Sequence, residues 1–96
     1  EEKLPSSLTI DILKNKRIND YTIILKDLEN QASLIGYDGV LGGTMMFIVE
    51  ESKLINEKYV LAYFEDGHID GYALLKYTIN KNLDIEWSIL ESEVNN

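Results

Sequence analysis

The residues best suited to chemistry lie in one short segment, where Asp66, His68 and Asp70 occupy every second position. Carboxylates at alternate positions ahead of a turn glycine, here Gly71, are typical of the start of an EF-hand calcium loop. The twelfth position of such a loop supplies a bidentate Glu, and here it is Tyr77. One His without any Cys also makes a poor ligand set for a transition metal. We therefore expect no metal and no other cofactor, and we interpret this segment as a polar β-hairpin tip.

Groups for covalent catalysis or phosphate binding are sparse. The glycine-rich run at 36–43 lacks the Gly-Lys-Ser/Thr ending of a phosphate loop, and Asp38 within it would repel an anion. His68 is the one imidazole base, and no Gly-x-Ser-x-Gly elbow is present. Carboxylate pairs such as Asp84 with Glu86 are typical of a solvated face. The sequence therefore predicts a protein that is not an enzyme.

The charge of the chain limits its partners. Seventeen acidic residues against nine basic ones give a net charge of -8, which opposes binding to nucleic acid or to an anionic membrane. Residues 1–30 carry six acids and five bases, whereas residues 31–96 carry eleven acids and four bases. We therefore expect an unidentified protein partner with a basic surface, which the acidic second part of the chain attracts.

The 96 residues suffice for one domain, spanning 1–96, with one small core. The chain starts with Glu1 instead of Met, which favours an exported protein or a lipoprotein anchored outside the cytoplasm, with residues 1–7 as a flexible tether. No apolar run approaches the roughly 18 residues of a membrane-spanning helix, so we expect no membrane insertion by this segment. With no cysteine, a disulfide framework is excluded.

The composition favours β-structure, because 29 residues are Ile, Val, Thr, Tyr, Phe or Trp and only three are Ala. Alternation and apolar runs predict strands at 8–14, 21–28, 32–37, 44–51, 58–65, 72–79 and 83–90. In the last strand we expect Leu83, Ile85, Trp87 and Ile89 on the core face. The runs at 59–64 and 45–49 are apolar on both faces, so we expect these strands to be central or covered by the N-terminal segment or a partner.

The predicted fold is therefore mainly β, an antiparallel meander of about seven strands forming a sandwich or a small barrel. An Asp-Gly-x-aliphatic-x-Gly pattern occurs twice, starting at Asp38 and at Asp66, and predicts two successive hairpin loops. The alternative is an α+β fold with an N-terminal helix packed on the sheet. In that interpretation Ser7 caps a helix over 8–17, and Asp20 caps one that runs toward Ala32 and stops at Gly36.

Six aromatic residues fall between positions 59 and 87, on three consecutive predicted strands. They indicate either cross-strand packing in the core or a tyrosine-rich acidic face for a protein partner. We predict a non-enzymatic acidic interaction or inhibitor domain; the alternative is a β-barrel that binds a small apolar ligand. The residues predicted to bind the partner are Tyr63, Asp66, Asp70, Tyr72, Asp84 and Glu86.

Overall fold

A computed structural model describes residues 5–95 of the chain. The N-terminal third is helical and the remainder is a β-sheet. The helices are α1 (Ser7–Asn15) and α2 (Thr22–Asp27), followed by two short 3₁₀ turns, Leu28–Asn30 and Ala32–Leu34. The strands are β1 (Met46–Leu54), β2 (Tyr59–Glu65), β3 (Asp70–Ile79) and β4 (Ile85–Asn95).

The four strands form one sheet in the order β1-β2-β3-β4, and every neighbouring pair is antiparallel. Each strand pairs with the next one along the chain, so the predicted antiparallel meander and the mainly β class are confirmed. The prediction of seven strands is wrong, because the structure has four. The sheet is open and lies in a single layer, so neither the predicted sandwich nor the predicted barrel is formed among residues 5–95.

The strands predicted at 44–51, 58–65, 72–79 and 83–90 correspond to β1 through β4, with shifted bounds. The last one starts and ends later than predicted. Leu83 precedes β4 in the turn after β3, with a positive φ of 68° and a side chain that is 40% exposed. Its predicted place on the core face is therefore wrong, since a left-handed backbone conformation ends the alternation of an extended strand.

The strands predicted at 8–14, 21–28 and 32–37 are wrong, because these segments are α1, α2 and 3₁₀ turns. Their buried side chains follow a helical period: Thr9 and Leu13 are buried four residues apart, and so are Ile24 and Leu28. Ser6 caps α1, with its hydroxyl accepting a hydrogen bond from the Thr9 amide at 3.1 Å. The alternative of helices at the N-terminus describes this region better, although it places the first cap one residue late.

The helical segment packs against one side of the sheet, which we call the inner face. It contributes the buried side chains of Leu13, Ile18, Ile24 and Leu28. The sheet contributes every second residue of its strands, as the strand period requires. These inner-face residues are Phe47, Leu54, Val60, Ala62, Phe64, Ala73, Leu75 and Tyr77, and all are buried. The single core therefore lies between the helical segment and the inner face.

Of the predicted tether at 1–7, residues 1–4 lie outside the described part of the chain. Ser6 caps α1, and Ser7 is its first residue. Between positions 5 and 95, no helix has the length and the apolar character needed to cross a membrane.

Gly71 is the glycine that the sheet requires most directly. A methyl group at this position would lie 2.7 Å from Cζ of Phe64 and would also meet the carbonyl oxygen of Glu93. Phe64 is fully buried and pairs with Gly71 across β2 and β3, so its ring has no room to retreat. We expect Gly71→Ala to lower the free energy of unfolding by about 1–3 kcal/mol through overpacking. Chemical denaturation measures this loss.

The matched control is Gly36→Ala, because a methyl group there meets nothing within 4 Å. This variant should unfold at nearly the wild-type denaturant concentration. Equal stability of the two variants would show that Phe64 does not pack on Gly71.

The indole of Trp87 joins β4 to α2. Its Nε1 donates a hydrogen bond of 2.8 Å to Oδ2 of Asp27, which is half-buried. A bond to a charged acceptor in such a place is worth roughly 1.5 kcal/mol. We expect Trp87→Phe to destabilise the fold by about 1.5 kcal/mol more in the wild type than when Asp27 is already Ala, because the packing lost with the larger ring is the same in both backgrounds. A double-mutant cycle by denaturation measures the coupling, and full additivity would contradict it.

Candidate functional site

The side of the sheet opposite the helices, which we call the outer face, has no element of residues 5–95 packed across it. Its central residues are apolar or aromatic and are half-buried by one another. They are Ile48 on β1, Tyr59, Leu61 and Tyr63 on β2, and Tyr72 and Leu74 on β3. An antiparallel sheet with one wet face normally carries polar residues there. This face is therefore apolar where solvent would favour polar side chains.

The strand register places these residues in transverse rows. One row runs Ile48, Tyr63, Tyr72 and Glu93 from β1 to β4. The next row runs Lys53, Leu61, Leu74 and Glu91. In both rows the two central strands supply an apolar or aromatic pair, and β4 supplies a carboxylate. The apolar centre of the outer face is therefore bordered by acid along β4.

Two large side chains extend the apolar surface toward solvent. Met46 at the start of β1 is 59% exposed, and Leu90 on β4 is 51% exposed. Leu90 lies where the β3–β4 register shifts, so an extra residue bulges out of β4. A shallow cleft of about 420 Å³ lies beside Ile48 and Tyr63 at one end of the face, where Glu65 and Asp70 also line it. Met46 thus lies at the β1 rim of the face, and Leu90 lies at the bulge of the edge strand β4.

Two outer-face carboxylates, Asp70 on β3 and Glu93 on β4, accept hydrogen bonds from neutral donors. The hydroxyl of Tyr72 donates to Oε1 of Glu93 at 2.6 Å, and the amide of Asn95 donates to Oδ1 of Asp70 at 3.0 Å. The bond to Glu93 raises the pKa of Tyr72, because ionisation would place two negative charges side by side. Neutral donors orient these carboxylates without cancelling their charge, so the negative potential of the face persists.

The six aromatic residues divide between the two faces, as strand alternation requires. Phe64 and Tyr77 are buried in the core, and Tyr77 packs against half-buried Trp87 with ring centroids 5.5 Å apart. The remaining three, Tyr59, Tyr63 and Tyr72, lie on the outer face. Packing in the core therefore accounts for three of the six aromatic residues, and the other three form a tyrosine-bearing outer face.

The six residues predicted to bind a partner do not form one cluster. Tyr63 and Tyr72 are paired across β2 and β3 on the outer face. Asp70 begins β3 on that face, and Glu86 lies on β4, also facing outward and exposed. The other two lie in turns.

Asp84 is exposed in the turn between β3 and β4. Asp66 lies in the β2–β3 loop, and its carboxylate is committed to the backbone. It accepts hydrogen bonds from the amides of Val40 at 2.6 Å, His68 at 2.7 Å and Ile69 at 2.8 Å. The amides of Ile69 and Val40 are the main causes that lower the pKa of Asp66 to about 2. Asp66 therefore organises its loop.

Asp66 also connects the two copies of the Asp-Gly pattern, since Val40 belongs to the first copy. The first copy is not a hairpin loop, because the segment before it forms a 3₁₀ turn instead of a strand. It folds against the tip of the β2–β3 hairpin, and a methyl group on Gly43 would lie 2.6 Å from the carbonyl oxygen of Asp66. Between residues 5 and 95 no group of three or more His, Asp or Glu side chains is arranged to hold a metal ion.

The sequence analysis missed Ile48, Leu61 and Leu74 as members of the candidate site. The signal for them was the apolar character of both faces in the runs at 45–49 and 59–64. Alternation assigns one half of each run to the core. The other half must then lie on a second surface, and the helical segment covers only one.

We expect Asp66→Asn to lower the melting temperature at neutral pH, because the charge and the bond to Val40 are lost. The folded pKa is depressed, so this carboxylate stabilises the fold above its ordinary pKa of 3.8 and stops doing so as the pH falls toward about 2. The melting temperatures of wild type and variant should therefore converge over that window. Thermal unfolding followed by circular dichroism at pH 2–7 measures the difference in melting temperature between wild type and variant.

Asp84→Asn is the control, because it makes the same change of charge in an exposed turn. Among the described residues no group donates a hydrogen bond to the Asp84 side chain. This variant should melt close to wild type at neutral pH. A gap for Asp66→Asn that stays constant down to pH 2 would contradict the role of its charge.

Comparison of the chain with models of protein families, with curated proteins and with solved structures gave no match to any of them. The candidate functional site is the outer face of the sheet, with its apolar centre and acidic border.

Proposed function

We propose that this chain is a non-enzymatic interaction or inhibitor domain that binds a protein with a basic surface through the outer face of its sheet. The proposal is based on the cross-strand rows of apolar and aromatic side chains on that face, which the helical segment leaves uncovered. Contiguous apolar surface with a polar rim is typical of protein-binding sites. Tyr63 and Tyr72 at its centre offer rigid apolar area with a polar tip, as frequent interface anchors do.

Charge supports a basic partner and opposes a second copy of the chain. Carboxylates outnumber lysines on the outer face and its border, and the whole chain has a net charge of -8. The carboxylates include those of Glu51, Glu65, Asp70, Glu86, Glu91 and Glu93, and the lysines are Lys53 and Lys76. Two such faces would repel each other, whereas a basic surface would be attracted and steered toward this one.

The non-enzymatic part of the proposal is supported by the surroundings of the titratable groups. His68 is exposed at the hairpin tip, where its backbone amide is used to bind Asp66. The outer-face carboxylates lie beside tyrosine and aliphatic side chains. This environment suits recognition of a cationic side chain on a protein surface.

The proposal is tested by capture from a lysate of the source cells, followed by binding measurements on the purified captured protein. The outer-face variant is Leu61→Ser with Leu74→Ser, which removes one central row. It should weaken binding at least ten-fold, because the partner loses its apolar contact. The matched control is Leu8→Ser with Ile23→Ser, two exposed side chains of the helices, and it should bind as wild type does.

A charge-reversed variant, Asp84→Lys with Glu86→Lys, tests the electrostatic part. Association should slow at least several-fold at low salt, and the difference should shrink near about 0.5 M salt, where screening is strong. Both side chains are exposed, so the fold should remain intact. A captured protein that binds the outer-face variant and the control equally well, without sensitivity to salt, would overturn the proposal.

A further inference from the structure

β4 is an edge strand whose pairing with β3 is regular from Ile85 to Ile89, and the outward peptide groups of this part can be identified from the register. The amide of Tyr77 donates to the carbonyl of Lys58, so the peptide groups of Tyr77 point toward β2. Peptide groups alternate in direction along a strand, so those of Lys76 and Thr78 point toward β4. They pair there with Ser88 and Glu86. The peptide groups of the alternate residues of β4 must therefore point away from the sheet.

These alternate residues are Ile85, Trp87 and Ile89. Among the described residues, none forms a hydrogen bond with their outward N–H and C=O groups. Farther along the strand the carbonyl of Ser92 also points outward, and the hydroxyl of Tyr37 lies 3.4 Å from it. The open part of the edge is thus the half from Ile85 to Ile89.

We propose that this half of β4 binds an extended segment of the partner as a fifth, antiparallel strand in which basic and apolar residues alternate. The inference rests on the proposed function for the basic character of the partner. Strand addition satisfies the free peptide groups with main-chain hydrogen bonds and leaves the choice of sequence to the side chains on the two faces.

The side chains beside the edge differ between the faces. On the inner face Ile85 and Trp87 are half-buried, and Ile89 is 36% exposed, so an added apolar side chain would extend the core. On the outer face Glu86 is exposed, and Glu91 and Glu93 continue the acidic line along β4. An added strand complements both faces if its lysine or arginine side chains lie on the outer face and its valine-like side chains lie on the inner face.

A second copy of the chain fits this edge poorly. A second copy would bring the same edge, with Glu86, Glu91 and Glu93 on its outer face and a net chain charge of -8, against this one. The two edges would therefore repel each other through like charges. Acidic residues on an edge strand discourage this kind of self-association and leave the edge open to a basic strand.

The other edge of the sheet, β1, is irregular. Its pairing with β2 shifts register between Ile48 and Lys53. Within this interval the hydroxyl of Ser52 accepts a hydrogen bond from the amide of Tyr63 and donates one to the carbonyl oxygen of Ile48. Such an interruption bends the strand and disrupts the row of outward peptide groups. Strand addition is therefore assigned to β4.

The test uses the whole wild-type chain and a synthetic peptide, Lys-Val-Lys-Val-Lys-Val-Lys, blocked at both ends. In the proposed complex the valines share the inner face with Ile85, Trp87 and Ile89, so the valine amides point toward β4. N-methylation of the central valine should weaken binding at least ten-fold, because it removes a main-chain donor and inserts a methyl group into the new ladder. N-methylation of the preceding lysine, whose amide points away, should change affinity less than two-fold.

Amide hydrogen exchange supplies the second measurement. The parent peptide should slow exchange of the amides of Ile85, Trp87 and Ile89 at least ten-fold, and the valine-methylated peptide should not. Equal affinity of the two methylated peptides, unprotected edge amides, or no binding of the parent peptide would each overturn strand addition. The proposed function is tested separately, by whether the double change Leu61→Ser and Leu74→Ser weakens binding of the captured protein.

Discussion

The structure depends on one constraint: a four-stranded sheet with apolar residues on both faces has a single helical segment to cover it. β2 and β3 place apolar side chains of different sizes on the inner face, from Ala62 and Ala73 to Phe64 and Tyr77, and the helical segment packs against them. Burial of this face accounts for the core. The segment is too short to wrap the sheet, so the second apolar surface stays uncovered. The uncovered outer face is thus a direct result of how the helical segment packs on the sheet.

The sequence predicts the sheet well and the helical segment poorly, for a physical reason. In β4, Ile85 and Trp87 alternate with Glu86 and Ser88, and only a half-buried strand explains that pattern. In the N-terminal segment Ile10 and Ile12 satisfy a strand period, while Thr9 and Leu13 satisfy a helical one. Short apolar runs fit both periods, and packing against the sheet decides between them.

The candidate site is predictable in part. The sequence predicts Tyr63 and Tyr72 as partner-binding residues, and their shared outer face follows from alternation once β2 and β3 are paired. Asp66 was grouped with them because it is a carboxylate at a hairpin tip. Its commitment to the amide of Val40 depends on a contact across 26 positions of the chain. No local pattern encodes such a contact, so its structural role becomes visible only in the folded molecule.

The bond between Trp87 and Asp27 has a consequence for the order of folding. The four strands are joined by short connections, and their hairpins need only local loop closure. The indole bond joins groups 60 positions apart, so this contact requires closure of a much longer loop than any of the hairpins. The meander can therefore assemble first, with both of its apolar faces briefly open to solvent. Because the chain has one tryptophan, its fluorescence reports the later docking of the helices.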